Sequence, residues 1–117
     1  MTQQTVIFAL TRTPTIAVGE GIFVGFDGNP VTVAGARSLG VSETAAAANF
    51  PLNINVLGTA KVKCGAAVPL LASGLTPVKS DAAGKAIPQA GVGVINGYAL
   101  QAGVGVDSTI EILLTVS

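Results

Sequence analysis

The chain of 117 residues contains no histidine and no tryptophan, a single cysteine, one tyrosine and four phenylalanines. Charge is scarce as well: 10% of the residues, six basic against six acidic, with no net charge. Each shortage removes a class of chemistry. Without imidazole there is no Ser-His-Asp or Cys-His pair and no histidine metal ligand. Without a basic excess nothing displaces counterions from phosphates, which argues against an electrostatic nucleic-acid binder. The few aromatic rings cannot build a base-stacking platform. Cys64 can form no disulfide within the chain and reads as a small apolar core residue. Gly, Pro, Lys or Asp interrupts every apolar run before the roughly 20 residues of a membrane helix. Met1 to Gln4 carry no positive charge, and Arg12 follows the apolar stretch from Val6 to Leu10, the reverse of a secretory leader.

What is present is apolar and loosely punctuated: 50% hydrophobic residues, 15 Gly and 6 Pro. Such a composition is far from disorder, which needs low hydrophobicity and high charge. The length fits one domain that buries roughly two-thirds of its unfolded surface. With so few charges, much of the outer surface must be Ala, Val, Thr and Gly. A surface of that kind is comfortable only when covered, so the composition predicts an obligate assembly.

Abundant Val, Ile and Thr between recurrent Gly and Pro predict an all-β chain. Strands are expected at Thr5 to Thr11, Gly21 to Phe26, Val31 to Val33, Ala36 to Ser42, Leu52 to Leu57, Thr59 to Cys64, Leu75 to Ser80, Val92 to Leu100 and Thr109 to Val116. Asp27-Gly28-Asn29-Pro30 and Asp81 to Gly84 supply the turns. Leu52, Ile54 and Val56 share one face, with Asn53 and Asn55 on the other. Lys61 and Lys63 point together, as on a solvated face, and Pro77 places its strand at an edge or bulge. Four consecutive alanines within Glu43 to Asn49 allow at most one helical turn or a compact loop.

The chain also resembles itself. Gly21-Ile-Phe-Val, Gly40-Val-Ser-Glu-Thr-Ala and Asn53-Ile-Asn-Val-Leu are matched by Gly74-Leu-Thr-Pro-Val, Gly97-Tyr-Ala-Leu-Gln-Ala and Thr109-Ile-Glu-Ile-Leu, at offsets of 53, 57 and 56 residues. This predicts a small sandwich or barrel of two related β units, about 19–60 and 72–117, preceded by an arm and first strand over 1–18.

No motif for catalysis or a cofactor emerges. Asp27 and Asp81 sit beside turn glycines, where an Asx turn accounts for them, and Glu111 alternates outward between Ile110 and Ile112. The clusters Gly19 to Gly25 and Gly91 to Gly97 have one residue too many between their second and third glycines for the dinucleotide fingerprint, and neither opens a helix. Tyr98 reads as a core residue with its hydroxyl at the rim. The expectation is a non-enzyme with no cofactor, metal or small-molecule ligand.

Four segments share an order and spacing: Leu39-Gly-Val-Ser-Glu-Thr-Ala-Ala, Gly58-Thr-Ala-Lys-Val-Lys-Cys-Gly-Ala-Ala, Thr76-Pro-Val-Lys-Ser-Asp-Ala-Ala-Gly-Lys-Ala-Ile-Pro and Asn96-Gly-Tyr-Ala-Leu-Gln-Ala. Together they make the chain resemble the capsid cement, or head decoration, proteins of tailed phages. Where that family carries a Gly-acidic pair before the alternating strand, this chain reads Ala48-Asn49-Phe50-Pro51. The resemblance implies a virion protein on the outer capsid surface that bridges major capsid subunits. It would associate with itself as a trimer, or alternatively a dimer, with no nucleic acid or membrane partner. Expected contacts are the N-terminal Thr2, Gln3, Gln4 and Thr5, the cheapest segment to lay onto a neighbour, and Ala47, Asn49, Phe50 and Pro51 in the Ala-rich loop. The alternatives are a receptor- or carbohydrate-binding β module, for which Phe26 to Asn29 is the candidate turn, or another virion assembly component.

Overall fold

A computed structural model of the chain describes residues 6–70, 76–89 and 91–114. Eight strands form the fold: β1 (Val6–Arg12), β2 (Phe23–Val24), β3 (Gly40–Ser42), β4 (Leu52–Lys63), β5 (Pro77–Ser80), β6 (Ala86–Pro88), β7 (Gly97–Ala99) and β8 (Thr109–Leu114). The architecture is all-β, with no helix among the described residues.

β4 organises everything else. Its even-numbered side chains face inward along its whole length, with Leu52, Ile54, Ala60 and Val62 fully buried and Val56 half-buried. The two strands expected at Leu52 to Leu57 and Thr59 to Cys64 are therefore one. Gly58 joins them at φ 98° without ending the ladder, a conformation open to a residue with no Cβ. The first half of β4 pairs with β1 along one edge and β3 along the other, whereas the second half pairs with β8. The sheet runs β2-β3-β4-β8-β7-β5-β6, with β1 on β4 beside that path.

Several local expectations are corrected. Val31 to Val33 is not a strand: only Val24 and Pro30 bridge, and the chain then leaves the ladder. Residues 92–100 narrow to β7. Glu43 to Asn49, by contrast, keeps to its expectation and forms turns, with Ala46 bridging Val18. β6, which the sequence reading leaves unassigned, completes a hairpin with β5 around Asp81 to Gly84. Pro77 opens β5, where its missing N–H costs least.

One set of backbone hydrogen bonds occurs twice. Leu39 donates to the Val24 carbonyl, and Asn96 to that of Val78. Ser42 donates to Ile22 and Ala99 to Thr76; Glu43 donates to Asn53 and Leu100 to Glu111. Val18 and Ala46 exchange two bonds, as do Val68 and Gly103. Asn49 and Asp107, both at φ 66°, donate 2.7 Å bonds to the carbonyls of Pro14 and Cys64. Strand register follows suit, with Val41 opposite Asn55 and Tyr98 opposite Leu113. The first set runs from β1 to the first half of β4, and the second from the other half of β4 to β8. β4 thus closes one unit and opens the next. Gly40 and Gly97 occupy matching places because a Cβ there would collide with the facing carbonyl, of Asn55 in one unit and Leu113 in the other.

The units share burial unequally. Val18, Ile22, Val24, Leu52 and Ile54 form a small core of the first unit. A larger cluster contains the inward residues of the second unit, including Val62, Val78, Ile110 and Ile112, together with Phe23, Val31 and Val41 from the first unit's opposite face. Burying a ring such as Phe23 contributes on the order of 2–3 kcal/mol. This also explains Asn55, which alternates away from the first unit's core yet is fully buried. Polar contacts stitch the seam: Asn96 donates from Nδ2 to the Ala36 carbonyl and accepts from the Ser38 N–H at Oδ1, both at 3.1 Å. Gly35 donates to Ser80 and Phe23 to Gly84 across the same boundary.

Candidate interaction surface

The three aspartates are engaged in local structure. Asp27 Oδ1 accepts the Asn29 N–H at 2.9 Å, and Asp81 Oδ1 accepts the N–H groups of Ala83 and Lys85 at 2.8 and 2.9 Å. Both are Asx turns. Asp107 pairs with Lys85 Nζ at 2.6 Å. That hydrogen bond, reinforced by charge, holds the Asp107 carboxyl below its usual range and the Lys85 ammonium above its own. Glu111 lies opposite Lys61 across the β4–β8 ladder. Cys64 is fully buried, and desolvation raises its thiol pKa despite a hydrogen bond with Ser108, so the reactive thiolate is disfavoured. Among the described residues no group of three His, Cys, Asp or Glu gathers as a metal site. No described helix is long and apolar enough to cross a membrane.

The turn singled out for carbohydrate binding borders an open groove of about 350 Å³, lined by Phe26, Asp27, Thr32, Val33 and Arg37. Its polar atoms are committed internally: Asn29 Nδ2 donates to Thr15 Oγ1, and Asn29 Oδ1 accepts the Thr15 N–H. Phe26 and Arg37 remain exposed beside it.

The expected contact residues divide in two. Thr2, Gln3, Gln4 and Thr5 lie outside the described residues. Ala47, Asn49, Phe50 and Pro51 come together at the tip of the β3–β4 loop, all exposed. The loop is shaped by a Phe50 N–H bond to the Ala47 carbonyl and by the Asn49 bond to Pro14, so Phe50 stands on a defined turn with 62% of its surface free.

Sequence reasoning missed two other apolar surfaces. One is the matching loop of the second unit, where Val104 is 92% exposed and Val106 lies nearby, also exposed. The other is the outward face of β5, β7 and β8. Tyr98, expected in the core, sits there half-buried opposite Leu113, with Pro77 on its other side. Leu100 and Leu113 are about half exposed. The signal for this face was present in the internal resemblance, since Leu113 stands in register where the first unit has Asn55. Offset errors of two residues hid it.

What these surfaces offer is apolar contact area on two loops and part of one sheet face. No protein-family model and no curated protein matches the sequence. One solved structure is similar in fold, the N base of the head fiber gp8.5 of bacteriophage phi29. The likeness has a TM-score of 0.73 and spans 92% of this chain and 93% of that one, at 11% sequence identity.

Proposed function

We propose that this chain is a structural protein of a phage virion. It sits on the outer surface of the capsid and bridges neighbouring major capsid subunits, in the manner of a cement protein. The observation that supports this most is the fold: nearly the whole chain superimposes on the base of a protein named as a phage head fiber. Composition argues the same way. With 10% charged residues and Phe50, Val104 and Val106 exposed on shaped loops, the molecule is suited to standing contacts. Each bridging contact adds to the barrier against subunits parting under internal pressure. Self-association, as a trimer by preference or otherwise a dimer, multiplies weak contacts through effective concentration.

Electron microscopy of purified particles tests the proposal. The expected result is density for this chain on the shell at copy numbers set by the lattice, with particles lacking it bursting at lower temperature. Particles that carry it only at the tail, or that lose nothing when it is deleted, would overturn the reading.

A further inference from the structure

We infer that the open face of β5, β7 and β8 is an interface for a second copy of this chain, docked head to tail. The inference rests on the self-association proposed above and gives it a surface. In the first unit, the positions facing away from its own core are Phe23, Val41 and Asn55, and all three are fully buried because the second unit covers them. The matching positions of the second unit are Pro77, Tyr98 and Leu113, set by identical register. None of these is buried, and Leu113 is 45% exposed. Beside them Leu100, 48% exposed, takes the place of the first unit's Glu43. A one-sided antiparallel sheet should turn polar residues to water. Lys79 and Glu111 keep part of this face polar, but around Tyr98, Leu100 and Leu113 it has become more apolar than its buried counterpart at Asn55, which is the pattern of a patch meant to be covered.

The chain itself displays what covers such a face: the inward side of the following unit. At the seam Asn96 is buried directly against Ala36 and Ser38. The corresponding place in the first unit is Leu39, half-buried along with Ala46 and Val56, while their counterparts Gly103 and Leu114 are buried. Each molecule therefore ends in an apolar back on the second unit and an apolar rim on the first. The two patches differ, so their contact is heterologous. It closes into a ring where the rotation permits and otherwise continues as a filament.

Light scattering and sedimentation of the full chain test this, with thermal melts to verify folding. The wild-type chain is expected to be oligomeric at micromolar concentration. Leu113→Glu and Leu100→Glu, both at exposed positions, should melt as wild type yet associate at least tenfold more weakly. Leu39→Glu blocks the other patch; Val56→Gln replaces it if its melt is lost. An equimolar mixture of a back variant and a rim variant retains one good contact per pair and should form a dimer and nothing larger. A monomeric wild type, back variants of wild-type mass, or a mixture that stays monomeric would each overturn the interface. Back variants that keep their mass but no longer bind the shell would assign the face to the capsid and likewise overturn it. A monomeric chain still present on particles sinks this interface and the self-association it rests on but leaves the capsid role standing, whereas an oligomer absent from particles sinks the capsid role and leaves the interface standing.

Discussion

The two units are alike where they face inward and unlike where they face outward. At matching inward places stand Val18 and Val68, Val24 and Val78, Gly40 and Gly97, Leu52 and Ile110, Ile54 and Ile112. At matching outward places stand Phe23 and Pro77, Val41 and Tyr98, Asn55 and Leu113, Glu43 and Leu100. The backbone bonds need only the inward set and the close-approach glycines, so one bonding scheme can be written twice in different letters. The outward set answers to neighbours. In the first unit the neighbour is the second unit, and the differences report what lies beyond each face rather than how each is built.

The comparison breaks most severely at its shared inward pair. Ile54 and Ile112 are both fully buried, and Ile54→Asp or Ile112→Asp places an unpaired charge in the core, which should abolish cooperative folding. Alanine at the same places separates the units. Ile54 belongs to the small first core and Ile112 to the cluster that both units share. Ile112→Ala should thus cost about 3–5 kcal/mol and Ile54→Ala about 2–3 kcal/mol, read as urea midpoints at constant slope. A soluble Ile54→Asp protein with a sharp melt would show that the inward assignment of β4 is wrong.

That assignment was legible because alternation is a period-two signal, and the run from Leu52 to Val56 carries it cleanly. The all-β class was equally legible, from Gly and Pro spaced too closely for helices. The strand borders were not. Val31 to Val33 has strand composition, but Pro30 leaves no N–H to extend the ladder, and residues 86–88 gave too short a run to stand out. Gly58 looked like a break and is a joint. The resemblance between the halves showed up in letters at an offset of 56 for the last strands, whereas register pairs Ile54 with Ile112, 58 apart. A slip of two preserves the side-chain face, so alternation could not detect it. It did conceal the pairing of Asn55 with Leu113, and with it the second apolar face. The loop at Ala47 to Pro51 stands out in the sequence because Ala48-Asn49-Phe50-Pro51 replaces the Gly-acidic pair of the family it resembles, and the structure leaves Phe50 exposed there. Val104 and Val106 were missed because valines in an all-β chain attract no notice.

A middle-sized effect sharpens the comparison at the seam. Asn96 accepts from Ser38 and donates to Ala36, and its counterpart Leu39 makes no such bridge. Asn96→Ala strips the half-buried Ser38 N–H of its acceptor and the Ala36 carbonyl of its donor, and should cost about 1–3 kcal/mol. Leu39→Ala removes a half-buried side chain at an open rim and should cost about 1 kcal/mol or less in dilute solution. For a domain of this size the first would lower the melting temperature by roughly 4 °C or more. If the two variants melted alike, the seam would not be held by this amide.

The smallest effect is expected where one unit already carries the other's substitution. Asp107 and Asn49 occupy the same place, each at φ 66°, a left-handed conformation that Asn adopts at least as readily as Asp. Asp107→Asn therefore leaves the turn intact and removes only the ion pair with Lys85. Both partners are solvent-accessible, so screening keeps the contribution small. Its pH dependence is nevertheless fixed in sign. The Asp107 carboxyl is held below its ordinary value, so its contribution is complete above the ordinary carboxylate pKa of about 4 and fades as pH falls through the lowered one. The Lys85 ammonium is raised, so its share is complete below about 10.4 and is lost as pH climbs past the raised value. The difference in melting temperature between wild type and Asp107→Asn should accordingly be flat between about pH 5 and 9. It should shrink toward zero in acid and in 1 M salt. A difference that instead grew in acid would mean that Asp107 is buried against an unrecognised neighbour in the assembled state, and that the second unit's loop does not repeat the first's.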